Sequence, residues 1–176
     1  MNQPASFDIV EESDRGCVLV GAAILENRLE ELFRQIFEKR KVPKKLQASL
    51  FDSNGPLSTF SAKIKLAYSF GLIGAPLYED LDNIRRIRNE FAHTPNEVDF
   101  IGSSVSEKIE AMHCVQQFKD TIKRYSPTPP ASPPRKIDEA RFRSAGFIKY
   151  TKSLFSLGVK AMEIELMKCA LVVGSE

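Results

Sequence analysis

The 176-residue sequence has little of several features that would place it in a particular class of protein. Its three cysteines, Cys17, Cys114 and Cys169, are far apart and lack the Cys-x-x-Cys or Cys/His spacing of a zinc site. They fit a reducing compartment, where free thiols serve as small apolar side chains. No stretch approaches the roughly 20 apolar residues that span a bilayer, and residues 1–10 lack the basic start and apolar run of a secretion signal. We therefore expect a cytoplasmic protein without metal, cofactor or membrane contact.

Motifs of common enzyme classes are also missing from the sequence. It has no glycine-rich phosphate loop, no pair of carboxylates at catalytic spacing and no nucleophile elbow. Its formal net charge of +2 is too small to predict a polyanionic partner. Basic clusters at residues 34–45 and 135–152 are interpreted as solvated surface, and the first also suits the C-terminal end of a helix dipole.

Apolar residues recur at helical spacing along most of the chain, and no segment alternates as a strand does. The spacing predicts helices over residues 14–40, 57–71, 76–93, 105–122 and 138–172, with a short turn at 43–50. Residues 52–56 read as a loop, and Gly71 and Gly74 end the second helix. The fold class is therefore predicted as all-α, a multi-helix bundle.

Residues 126–134 contain five of the ten prolines and favour an extended polyproline II conformation. We expect a flexible N-terminus at 1–12, a helical core at 13–125, a proline-rich linker at 126–134 and a long C-terminal helix within 135–176. At about 3.1 Å per residue the linker spans roughly 28 Å. The C-terminal helix can therefore pack on its own core or on a second subunit.

The nine residues from Arg85 to His93 are the most informative local feature of the sequence. They read as the last turns of a helix that stops before Pro95. Arg88 falls on the same arc as the apolar residues of this helix, so we expect it to point inward. An inward guanidinium needs a carboxylate, backbone carbonyls or a subunit boundary to accept its hydrogen bonds, and the expected carboxylate is Glu26 or Glu30 of the first helix. His93 is interpreted as a cap on the negative end of the helix dipole.

The polar side chains of this run are also candidates for a binding or interface site, because they crowd together at one helix end. The candidate residues are Arg85, Arg86, Arg88, Asn89 and His93. Direct reading of DNA is disfavoured, since residues 67–77 match helix-turn-helix spacing only loosely. The would-be recognition helix opens with carboxylates at positions 79, 80 and 82, which the phosphates of a groove repel.

Several motifs that occur in order along the chain resemble the mannitol operon repressor (MtlR-like) family. They are Gly55-Pro56-Leu57, residues 61–68 and 71–73, Tyr78-Glu79-Asp80, the Arg88 to His93 stretch, His113-Cys114-Val115, the proline-rich spacer and the final helix. The resemblance covers nearly the whole chain from about Ser13 onward. It implies a bacterial, all-helical, repressor-type regulator of transcription without a recognised DNA-binding module. It also implies regulation through a protein partner, such as another transcription regulator, by a protein that we expect to be a homodimer.

A second resemblance leads to an alternative function. Arg88, Asn89 and His93 are similar to the Arg-polar-x-x-x-His signature of HEPN ribonucleases. This resemblance implies a dimeric, metal-independent endoribonuclease, or an inactive RNA-binding derivative, with these three residues in a cleft shared by two subunits. An imidazole exchanges protons near neutral pH, and a guanidinium stabilises a phosphorane oxyanion. A purely structural interaction module is the third possibility. The leading interpretation is a regulator without enzymatic activity.

Overall fold

A computed structural model describes residues 8–93, 99–100, 103–125 and 145–175 of the chain. A single 3-10 turn, Asp8–Val10, precedes seven α-helices in these ranges, which contain no strand. The helices are α1 Asp14–Lys39, α2 Lys44–Phe51, α3 Phe60–Ser69, α4 Ala75–His93, α5 Ser103–Glu110, α6 His113–Tyr125 and α7 Ala145–Ser175. The all-α prediction is confirmed.

The first helix begins and ends close to its predicted limits. Its N-terminal amides are capped by Ser13, whose hydroxyl accepts a hydrogen bond from the backbone N–H of Gly16 at 3.0 Å. The stripe that includes Leu25, Leu29 and Leu32 is buried, as the spacing of these residues predicts. The predicted turn after Pro43 forms α2.

The glycine signals mark the next two turns correctly. A Cβ on Gly55 would lie 2.4 Å from the carbonyl oxygen of Leu50, so the loop between α2 and α3 requires glycine. Gly71 has a φ of +69° just after the end of α3, a conformation that favours glycine. Thr59 caps α3 by accepting the N–H of Ala62 at 3.1 Å. The second helix is therefore shorter at its start than the predicted 57–71.

The prediction of one helix over residues 105–122 is wrong, because the chain forms two helices, α5 and α6, that are separated at Ala111 and Met112. The physical reason is the buried carboxylate of Asp80 on α4. It accepts hydrogen bonds from the backbone N–H groups of His113 at 2.7 Å and Cys114 at 2.9 Å. Those two groups are free to reach Asp80 only if a new helix starts at this point.

The core lies mainly between α1 and α7, which pack closely along their lengths. A Cβ on Gly21 of α1 would stand 2.8 Å from the ring of Phe155 on α7, so glycine permits the close approach. The ring of Phe100 contacts Phe155 on one side and Phe91 of α4 on the other. An ion pair between Arg28 and Glu163 at 2.8 Å also joins α1 to α7.

The predicted C-terminal helix therefore packs on the core of its own chain. Its predicted first residues, 138–144, and the predicted linker at 126–134 lie outside the described residues, as do most of the predicted N-terminal segment and Pro95. No helix in the described ranges is long and apolar enough to cross a membrane.

Candidate functional site

Helix α4 positions the candidate residues, and its apolar stripe is buried as predicted. Leu77, Leu81, Ile84, Ile87 and Phe91 are all in the core. The helix starts after Gly74 with a proline in its first turn, where the missing N–H costs nothing. The opposite side of the helix is left for polar residues.

The prediction that Arg88 is buried is wrong, because its side chain is exposed. The lengths of the neighbouring helices explain the difference. The ten residues of α3 extend about 15 Å, whereas the nineteen of α4 extend about 28 Å. The loop between them is short, so α3 runs back along only the first half of α4. Arg88 lies in the second half, where this side of the arc is uncovered.

The carboxylates that were assigned to Arg88 bind another cation. Lys63 of α3 is buried, and its ammonium group lies 3.1 Å from both Glu26 and Glu30 of α1. Burial alone would raise the pKa of Glu30, but hydrogen bonds and charge from Arg34 and Lys63 outweigh it and lower that pKa. A helical-wheel projection of α3 could have predicted this ion pair, because Lys63 adjoins the apolar Ile64 and Phe60 of the buried stripe.

The two preceding arginines share one carboxylate of the same helix. Arg85 contacts Asp82 at 2.7 Å, and Arg86 contacts it at 2.8 Å. Burial alone would raise the pKa of Asp82, but the hydrogen bonds and charges of both arginines outweigh it and lower that pKa. The Arg86 side chain is still 63% exposed, so it can also meet a partner.

The three residues of the ribonuclease-like signature end the helix. The guanidinium of Arg88 donates a hydrogen bond to the side-chain oxygen of Asn89 at 3.2 Å. Asn89 is half-buried, and His93, the last residue of α4, is exposed. Glu90 binds Lys108 of α5 at 2.6 Å, which fixes this end of α4 against the next helix. The structure thus places Arg86, Asn89 and His93 on the polar side of the last turns of α4 and Arg88 on the uncovered part of its apolar arc. We call these four residues the α4 polar strip.

The carboxylates near the start of α4 have roles that the sequence did not indicate. Asp80 is buried and caps α6, and Glu79 contacts the imidazole of His113 at 2.7 Å. This hydrogen bond, together with the charge of Asp80, raises the pKa of His113. Of the carboxylates at positions 79, 80 and 82, which the sequence argument set against a groove, Asp80 is therefore buried. His113 itself is exposed.

A cleft of about 520 Å³ opens beside this Asp80 cap, at the opposite end of α4 from the polar strip. Its walls come from α4, α6 and α7, and include the polar side chains of Gln117, Glu165 and Lys168. Cys114 and Cys169 also line it, and burial raises the pKa of each thiol. Both thiols are therefore held protonated and unreactive at neutral pH. Within the described ranges, no group of three or more His, Cys, Asp or Glu side chains could hold a metal ion.

Comparison with known proteins gives a family match over most of the chain. The family model described as "Mannitol repressor" matches residues 10–165. Curated relatives named mannitol operon repressor, from Escherichia coli strain K12 and from strain CFT073 of serotype O6:H1, are each 29% identical over 102 residues. The aligned region is 57% of this chain and 52% of each relative, so the match spans about half the length of these relatives.

Solved structures show the same fold. The chain resembles the X-ray structure of the MtlR-HPr complex from Escherichia coli with a TM-score of 0.67 and 21% identity, over 93% of this chain and 99% of the other. It also resembles a possible transcriptional regulator, YggD, from Shigella flexneri 2a strain 2457T. That match has a TM-score of 0.68 and 16% identity, over 92% and 98% of the two chains.

Proposed function

Because the chain belongs to the mannitol repressor family, we propose that it is a repressor-type regulator of transcription that acts by binding another protein. Under this proposal it does not read DNA bases itself, works in the cytoplasm and forms a homodimer. The name of the solved MtlR-HPr complex, whose fold this chain shares, supports a protein partner.

The observation that carries the proposed mechanism is the environment of α4. If the chain were a helix-turn-helix protein, α4 would be the helix that enters the major groove. The apolar stripe of α4 is buried in the core. Its leading end carries Glu79, which is exposed and repels phosphate, and Asp80, which is occupied as the cap of α6. The end of the helix that would enter a groove is therefore acidic and partly occupied.

The α4 polar strip is the surface that we propose for the partner. It offers the guanidinium groups of Arg86 and Arg88, the amide of Asn89 and the imidazole of His93 on one exposed helix end. Arginine is favoured at interfaces because its planar group binds carboxylates through two parallel hydrogen bonds. The partner surface is therefore expected to be acidic where it meets this strip.

The proposal is tested by titrating the full chain with HPr from the same bacterium in a calorimeter. We expect saturable binding that R88E weakens at least tenfold, because charge reversal faces an acidic surface with a glutamate. The matched control is K65E, which makes the same charge change at an exposed lysine of α3. Equal weakening by both variants would contradict the assignment of the strip, and no binding to the wild type would contradict the partner.

Direct DNA binding is tested separately with the purified chain and its own operator fragment. We expect only weak binding that salt abolishes and that a scrambled sequence competes for equally. A sequence-specific shift that persists at high salt would contradict the proposed mechanism.

A ribonuclease remains the second candidate, and one observation favours it. Arg88 and His93 are both exposed, so neither is consumed by a buried ion pair. The test is cleavage of single-stranded RNA in the presence of a chelator by the wild type, R88A and H93A. Loss of cleavage in both variants would support the ribonuclease, whereas equal residual activity in the three preparations would eliminate it.

A further inference from the structure

The outward face of α7 carries apolar side chains at heptad spacing. Leu157, Ile164 and Leu171 follow one another at intervals of seven residues and are 37%, 43% and 74% exposed. A straight helix drifts only about 20° per heptad, so the three side chains lie along one line. A heptad line of apolar residues on a helix surface is the seam along which a second helix packs.

Helix α6 widens this apolar surface. Its stripe is buried at Val115, but Phe118 is 39% exposed and Ile122 is 48% exposed. Phe118 lines an apolar groove of about 210 Å³ together with Leu157 and Ile164 of α7. The apolar stripe of α6 is therefore only partly covered by the described part of the chain. Its exposed end joins the apolar line on α7.

We propose that the surface formed by Phe118, Ile122, Leu157, Ile164 and Leu171, here called the α6–α7 face, is where two copies of this chain pair. In the paired form the two α7 helices lie antiparallel across a two-fold axis. This assignment rests on the proposed function only for the existence of the homodimer. It uses a different surface from the α4 polar strip.

A second copy fits this face because the heptad line complements itself. If the two-fold axis passes between Lys160 and Ala161, Leu157 of each copy lies opposite Ile164 of the other. The small side chain of Ala161, which is exposed, then allows the two backbones to approach closely at the axis. The Lys160 ammonium is already held to the side by Glu163 at 3.0 Å, which leaves its apolar stem at the seam.

The exposed area is also of the size that a dimer needs. At roughly 200 Å² per large side chain, the five residues of the α6–α7 face expose on the order of 500 Å². The neighbouring Tyr150 and Val172 of α7, which are 48% and 59% exposed, add on the order of 200 Å². Stable interfaces bury roughly 600–1,000 Å² per partner, and the total of about 700 Å² for this face with its rim lies within that range.

The test measures the oligomeric state of the full chain by sedimentation equilibrium in the micromolar range. We expect a wild-type dimer and at least a tenfold rise in the dimer dissociation constant for L157K and for I164E. The double variant L157K/I164E is expected to dimerise again, because the antiparallel register sets each new lysine against a new glutamate of the other copy. L157K/I164K, which sets lysine against lysine, is expected to stay monomeric.

The matched control is L19K, which places the same charge at a leucine of α1 that is 36% exposed. It is expected to leave the dimer intact. Circular dichroism reports whether each variant is folded, and K160C gives an independent readout because a cysteine beside the two-fold axis forms a disulfide-linked dimer under mild oxidation.

A monomeric wild type would overturn the pairing, as would an L157K/I164E variant that remains monomeric or an L19K variant that dissociates equally. These outcomes are distinguishable from failure of the proposed function, since HPr titration and its R88E variant report on the α4 polar strip alone.

Discussion

Replacing Asp80 with alanine is expected to lower the free energy of unfolding by about 3 kcal/mol. The carboxylate is 2% exposed, and it accepts the backbone N–H groups of His113 and Cys114 at 2.7 and 2.9 Å. Each hydrogen bond to a charged acceptor is worth roughly 1.5–3 kcal/mol. Water from the adjacent cleft can partly replace these hydrogen bonds in the variant. We therefore use the lower end of that energy range for each of the two bonds.

The neighbouring carboxylate provides the control for this prediction. Glu79 is 59% exposed and, among the described residues, contacts the imidazole of His113 at 2.7 Å, so E79A is expected to cost less than about 1 kcal/mol. D80N keeps one acceptor oxygen but sets an NH₂ group against the other backbone N–H. Its loss of stability is therefore expected to lie between those of E79A and D80A.

The assay is urea denaturation of the full chain followed by circular dichroism, with thermal melting as a second measurement. For a chain of this size a loss of about 3 kcal/mol lowers Tm by roughly 6–12 °C. The conclusion that Asp80 fixes the start of α6 would be refuted if the stability of D80A were within 0.5 kcal/mol of the wild type. It would also be refuted if E79A lost as much stability as D80A.

Three further predictions concern the α1–α7 interface and the imidazole beside the cleft. G21A is expected to destabilise the fold by about 1–3 kcal/mol in urea, because its methyl group would meet the ring of Phe155 at 2.8 Å; an unchanged midpoint would contradict this close approach. E163Q is expected to cost about 2 kcal/mol, since Arg28 loses its ionised partner across the interface; melting at pH 7 measures this loss, and a fully stable variant would count against it. The raised pKa of His113 means that its contribution is complete below the ordinary value of 6.5 and is lost as pH rises through the raised pKa. The stability difference between the wild type and H113A is therefore expected to be larger in mild acid than in mild base, and a constant difference would refute the pairing of this imidazole.

Much of the fold could be predicted from the sequence, because helices with one buried face reveal themselves through apolar periodicity. The limits of α1 and the positions of the turns at Gly55 and Gly71 follow from local spacing and backbone preference. The family could also be predicted, since short motifs in a fixed order survive where overall identity is low. The candidate site was predicted only as a set of residues, and its environment was not.

The sequence alone determined the succession of helices and the absence of strands among the residues that the structure describes, because both depend on side chains a few positions apart. Only the tertiary structure decided which cation is buried, where residues 105–122 break and which face of α7 is left uncovered. Each of these depends on how far a neighbouring helix extends or on a group more than thirty residues away. Lys63 takes the carboxylates that Arg88 was expected to bind because α3 faces α1 at that point, and Asp80 sets the start of α6 from the adjacent helix.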